Sequence, residues 1–159
     1  MTTILIRLAT HPALSLILRL YLAWIFIYAS LYKIMFPAEF ADNIAAYLLA
    51  PHWLVNPLAV FMPWLELVSG LFLLAGVRVR AACVLICGML VMFIVAIVTA
   101  LVQATPIGCG CFQSIGDPVS WWTVSRDVAW LGMGVHVYLY DRLIHLDRLF
   151  SLEPKELGL

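Results

Sequence analysis

Charge is what this chain has least of. Nine Lys and Arg and nine Asp and Glu make up 11% of 159 residues, where a soluble domain carries about 25%. The two signs cancel to a formal net charge of zero, so no electrostatic case exists for a nucleic-acid partner. Intrinsic disorder, a secreted disulfide scaffold and a soluble α/β enzyme each need far more polar residues than are present. What remains is 65% apolar or aromatic, with a mean hydropathy of +1.04. The composition is that of an integral membrane protein, and all 159 residues read as one membrane domain whose solvent is lipid.

A transmembrane helix takes roughly 20 apolar residues, or about 30 Å at 1.5 Å per residue. That length fits four times, at about Ala13–Ile34, Leu58–Gly76, Ala81–Gln103 and Trp121–Tyr140. Pro37, Pro51, Pro57, the Arg78/Arg80 turn and the run Pro106, Gly108, Gly110, Gly116 and Pro118 mark the gaps. Between the first two segments, Phe40, Ile44, Tyr47 and Leu48 recur at helical spacing while Glu39, Asp42 and Asn43 fall on other faces. This pattern predicts a short amphipathic helix at the membrane interface. The fold class is therefore all-α, a four-helix transmembrane bundle with an interfacial helix between helices 1 and 2. The first segment is too long for a signal peptide, contains Arg19 and lacks a small-residue cleavage site, so it is read as retained.

Two stretches, Phe36–Pro57 and Ala104–Ser120, contain no Lys or Arg. Arg7, Arg78, Arg80, Arg142, Arg148 and Lys155 all fall in the other three extramembrane segments. The positive-inside bias places both termini in the cytoplasm and the stretch bearing Cys109 and Cys111 outside. Trp121 and Trp122 then belong to the outer aromatic belt.

Charged groups recur inside the apolar segments: Arg19 and Lys33 in the first, Glu66 in the second, Arg126 and Asp127 in the fourth. Each costs several kcal/mol at membrane depth, so each should face the bundle interior. Counted from the outer boundary at Lys33, Glu66 sits roughly 12 Å down and Arg126 and Asp127 roughly 8 to 9 Å, at 1.5 Å per residue. They share one layer beneath the cysteine stretch. Neighbours on a helix point about 100° apart, so Arg126 and Asp127 are expected to find partners elsewhere, with Glu66 and Lys33 available. Cross-bundle ion pairs that only fix packing would use the same residues. Arg19 and His136 lie nearer the cytoplasmic side, where snorkelling or an ordinary hydrogen bond accounts for them. Cys83 and Cys87, four residues apart on one helix, read as core packing.

The most specific local feature is Ile107-Gly108-Cys109-Gly110-Cys111-Phe112. A disulfide between residues i and i+2 requires a bent backbone, and Gly108 and Gly110 permit one. Such a bridge closes almost no chain and stabilises little, while strain makes it easy to reduce, which suits a catalytic rather than a structural disulfide. The same pair could also bind a soft metal such as copper or mercury, although it lacks the four ligands of a structural zinc site and no metal is assigned.

Tyr32-Lys33 with Pro37-Ala38-Glu39-Phe40, Tyr47, Pro51, Pro63-Trp64-Leu65-Glu66, Gly70, Cys109-Gly110-Cys111-Phe112 and Arg126-Asp127 together resemble the MauE/DoxX family of redox-associated membrane proteins. The likeness covers about residues 20 to 135, is closer to the methylamine-utilisation branch because of the cysteine pair, and departs from it at Gln113, where glycine is common. It implies a four-helix protein of the bacterial cytoplasmic membrane that supports periplasmic disulfide chemistry beside a thioredoxin-like partner. The layout is also similar to that of quinone-coupled disulfide-generating enzymes. The leading expectation is a thiol–disulfide oxidoreductase or electron relay. Cys109 and Cys111 would exchange disulfides, Arg126 would favour the thiolate, and Lys33, Glu66, Asp127, Gly110 and Phe112 would support them. Without a second usable cysteine pair, membrane quinone is the candidate electron partner and cofactor, its ring resting on Phe112, Trp121 or Trp122. The alternatives are a non-catalytic assembly subunit for maturation of a periplasmic enzyme and a copper- or mercury-binding membrane protein.

Overall fold

The computed structural model describes residues 12–103 and 120–141. Among these, five helices and no strands form. Helix α1 spans Pro12–Met35, α2 Pro37–Ala46, α3 His52–Ala75, α4 Val79–Val102 and α5 Trp121–Tyr140.

Proline sets the first boundaries. Phe36 precedes Pro37 and takes φ −125° and ψ 62°, because the proline ring denies the α region to the residue before it. That breaks α1 from α2, and Pro37 then opens α2 at a position whose N–H has no helical partner anyway. Helix α3, the second long apolar segment, corrects the sequence reading. It begins at His52 rather than Leu58 and carries Pro57 and Pro63 in its interior. Each proline removes one backbone bond, a loss that packed neighbours tolerate in a membrane helix. The far end of α3 closes on Gly76 at φ 70°, with Val77 N–H donating to Phe72 O at 3.0 Å, a Schellman cap that needs the left-handed glycine.

Residue partners fix the topology. Gly70 of α3 lies against Ala23 and Ile27 of α1, and Lys33 meets Glu66, so α1 and α3 run antiparallel. Gly134 of α5 lies against Cys87 of α4, while Arg19 near the start of α1 meets Asp141 just past the end of α5. The four long helices thus alternate in direction. The core is built from Leu22, Ala23 and Phe26 of α1, Leu73 of α3, Ala82, Cys83, Ile86 and Leu90 of α4, and Val137 of α5.

Polarity is inverted relative to a water-soluble bundle. Arg19, Lys33, Glu66 and Asp127 are buried, while Trp24, Trp53, Phe61 and Ile17 are between 63% and 75% exposed. An apolar exterior around a charged interior is stable only against lipid. Among the described residues three helices, α1, α3 and α4, are long and apolar enough to cross a membrane. The expected four spans are met to that extent. Helix α5 has the length, at 20 residues, but Ser125, Arg126, Asp127 and His136 dilute its hydropathy.

Candidate functional site

The charged layer expected from the sequence forms. Lys33 Nζ donates to both carboxylate oxygens of Glu66, at 2.7 and 2.9 Å, with side chains only 4% and 2% exposed. The ammonium is further held over the rings of Phe40 and Phe93, 5.1 and 4.9 Å from their centroids, where the negative ring faces add cation–π attraction. Sequence spacing explains the pairing. Lys33 lies on the last turn of α1, and the antiparallel approach at Gly70 brings Glu66, one turn further along, to its level.

On the other side of the layer the expectation is corrected. Arg126 pairs with its own neighbour. Its Nε and one terminal nitrogen donate to Asp127 Oδ1 at 3.2 and 3.1 Å. The two Cα–Cβ bonds diverge, but the arginine arm is long enough to fold back over its neighbour, and its guanidinium stacks 4.6 Å from the Trp130 ring. Asp127 is 4% exposed and Arg126 29%, so the pair reaches from the interior towards the helix surface. Both pairs line one cavity of about 30 Å³, with Phe93 and Trp130 completing its wall. A space of that size between charged groups accommodates about one water molecule.

A second buried ion pair was missed from the sequence. Arg19 donates to Asp141 Oδ2 at 2.8 Å, with side chains 2% and 1% exposed. The sequence reading assigns Arg19 snorkelling or an ordinary hydrogen bond and does not single out Asp141. The available signal was that a guanidinium two turns inside an apolar helix needs a carboxylate at the same bundle end, and Asp141 is the first one there. His136 packs its ring on Tyr140 at 4.9 Å, and its buried Nε2 has no hydrogen-bond partner among the described residues. Cys83 lies in the core as expected.

Trp121 and Trp122 open α5 and are 65% and 78% exposed, outward-facing as belt residues would be. Cys109, Gly110, Cys111 and Phe112 lie outside the described residues. Their stretch joins Gln103 to Ser120, and Ser120 lies two turns from Asp127, so the bundle end nearest the Lys33 layer is the one from which it departs. Among the described residues no group of three or more His, Cys, Asp or Glu side chains could hold a metal ion.

A larger cavity, also unforeseen, opens beside the charged layer between α2, α3 and α4. It measures about 390 Å³ and is bounded by Phe40, Tyr47, Leu58, Met62, Phe93 and Ala96, among others.

The fold and its buried ion pairs define a multi-pass helical membrane protein. A family model described as methylamine utilisation protein MauE matches residues 11–140, and the chain belongs to the MauE family. It is 30% identical over 122 residues to the methylamine utilization protein MauE of Methylorubrum extorquens, covering 76% of this chain and 66% of that one. The MauE protein of Methylophilus methylotrophus is 31% identical over 134 residues, with 82% and 70% covered. That of Paracoccus denitrificans is 28% identical over 120 residues, with 74% and 64% covered. The chain thus spans about two thirds of the length of these relatives. No solved structure matches it.

Proposed function

We propose that the protein is a thiol–disulfide relay of the bacterial cytoplasmic membrane, acting in the maturation of a periplasmic enzyme of methylamine utilisation. In this reading α5 is the fourth span. Its 20 residues reach about 30 Å, and Trp122, Val128, Val135 and Leu139 face outward while Asp127 turns in. The charge-free Phe36–Pro57 and Ala104–Ser120 stretches face the periplasm, with α2 at the interface and both termini cytoplasmic.

Cys109 and Cys111 cycle between dithiol and disulfide. A thiolate of the reduced pair, here or on a thioredoxin-like partner, attacks the disulfide of the other, a mixed disulfide forms, and the second thiol of the attacking pair resolves it. Two electrons and two protons pass from the dithiol of one protein to the disulfide of the other, so the exchange balances without a further reactant. The observation that carries the reading is the layer of buried Lys33, Glu66 and Asp127 with half-buried Arg126, placed at the bundle end from which the Cys-Gly-Cys stretch departs. Two carboxylates and two cations in a membrane interior are costly to keep and mark functional sites. Family membership adds support, since the relatives are named for methylamine utilisation.

The test is exchange with a soluble thioredoxin-like protein, measured by thiol counting on purified protein. Cys109→Ser and Cys111→Ser should each abolish exchange and leave membrane insertion intact, and one of them should trap the mixed disulfide. Full maturation of the periplasmic enzyme in cells carrying the double variant would overturn the relay in favour of an assembly subunit.

A further inference from the structure

Between α2, α3 and α4 the surface sinks into a groove of about 390 Å³, within the size range of small-molecule sites. Its origin is local. Phe40 pins the start of α2 against Ala59 and Met62 of α3, but α2 ends at Ala46 and Leu48 turns the chain at φ 54°. Along α3 the lining runs from Leu54 to Met62, about 12 Å at 1.5 Å per residue, so the groove extends along the helix. Helix α4 forms the opposite wall with Met92, Phe93, Val95 and Ala96. Ala96 is the smallest side chain there.

The groove is open along its side. Leu49, Met92 and Val95 are 52%, 43% and 53% exposed. Met92 and Val95 continue, at helical spacing, an exposed stripe of α4 that includes Leu85, and that stripe belongs to the apolar exterior that lipid covers. Bilayer hydrocarbon therefore reaches the groove through this opening, and water does not. The lining agrees: Asn43 and Tyr47, both near the end of α2, are its only polar side chains. Trp53, next to the lining residue Leu54, is 75% exposed. Tyr and Trp collect at headgroup level, which sets the α2 end of the groove at the membrane boundary and the Met62 end in hydrocarbon.

We propose that the groove holds one acyl chain of a phospholipid whose headgroup carries an amine. A neighbouring helix is too thick to enter: 12 Å of a helix about 10 Å across takes up roughly 900 Å³, more than twice the groove. An acyl chain needs no polar partner and lies along α3, with its headgroup at the turn between α2 and α3. Charge selects the headgroup. Glu39 and Asp42, next in sequence to the lining residues Phe40 and Asn43, are exposed, and Phe36–Pro57 contains no Lys or Arg. Two carboxylates without a cation in that stretch attract an ammonium and repel a headgroup of net negative charge. Glu39 accepts a hydrogen bond from the Tyr32 hydroxyl at 3.0 Å, which positions its carboxylate without neutralising it. The proposal needs only the lipid-facing exterior and is independent of the relay.

The probe is dioleoyl phosphatidylethanolamine, titrated into the delipidated full-length protein in detergent and counted on the protein by native mass spectrometry, with dioleoyl phosphatidylglycerol as the anionic comparison. One phosphatidylethanolamine should bind saturably, severalfold more tightly than phosphatidylglycerol. Ala96→Phe, which fills the groove, should weaken binding at least tenfold, while Leu85→Phe, on the same stripe but outside the groove, should leave it unchanged. Should Ala96→Phe not fold, Leu58→Trp fills the same space from α3. Glu39→Gln/Asp42→Asn should bind both lipids alike. A phosphatidylethanolamine with a diazirine in its acyl chain should label the protein between Leu54 and Met62 or between Met92 and Ala96. Unsaturable binding, undiminished binding in the filled variants, or labelling spread evenly over the lipid-facing helices overturns the site. Equal or tighter binding of phosphatidylglycerol by the parent, or a preference that survives Glu39→Gln/Asp42→Asn, overturns the headgroup assignment.

Discussion

Glu66→Gln is the perturbation that best separates a working site from a packing device. It removes the carboxylate from an ammonium that is 4% exposed and leaves it the more distant charge of Asp127 and the faces of Phe40 and Phe93, the two rings together worth about 1 to 4 kcal/mol at roughly 0.5 to 2 each. Breaking one side of a buried pair costs about 3 to 5 kcal/mol. Replacing both partners, as Lys33→Met/Glu66→Met, should restore stability to within about 1 kcal/mol of the parent, since desolvation of the two ions disappears with their attraction. The assay is reversible unfolding in dodecyl maltoside micelles titrated with SDS, followed by tryptophan fluorescence, with disulfide exchange measured on the same samples. A Glu66→Gln protein within about 0.5 kcal/mol of the parent would refute the argument, as would a double variant no more stable than the single one. A stable double variant that no longer exchanges disulfides assigns the pair a role beyond packing; one that exchanges normally assigns packing alone.

Asp141→Asn should destabilise by about 3 to 5 kcal/mol in the same assay, because it takes the carboxylate from Arg19 and arginine has no neutral form to retreat to; an unchanged midpoint would count against the pair. Gly70→Ala should cost about 1 to 3 kcal/mol, since the added Cβ would lie 2.9 Å from Ile27 Cγ1 and 3.3 Å from Ala23 O, whereas Gly132→Ala meets nothing within 4 Å and should be neutral; equal effects would remove the case for close α1–α3 approach. A membrane-impermeant maleimide on intact, reduced cells should label Cys109 or Cys111 and spare Cys83 and Cys87, and labelling only after lysis would reverse the orientation. Arg126→Gln should move the alkylation profile of the reduced Cys109/Cys111 pair to higher pH, with Arg126→Lys an incomplete rescue, because a nearby guanidinium favours the thiolate; an unchanged profile would confine Arg126 to its pair with Asp127.

The sequence by itself determined the solvent, the helix count and which side chains had to turn inward. Those properties follow from composition, span length and the cost of charge in lipid, which act through each segment separately. It placed Lys33, Glu66, Arg126 and Asp127 in one layer because depth along a helix is simple counting at constant rise. Partner choice was beyond it. Arg126 paired with its own neighbour, since an arginine arm spans more than its Cα–Cβ direction suggests, and Arg19 found Asp141, 122 residues away, only because α1 and α5 run antiparallel at contact distance. The true start of α3 escaped because a proline breaks an isolated helix, whereas Pro57 and Pro63 are carried by the packing around them. The cavity beside Phe93 belongs to tertiary structure altogether: its lining comes from α2, α3, α4 and the chain joining α2 to α3, and no residue encodes it alone.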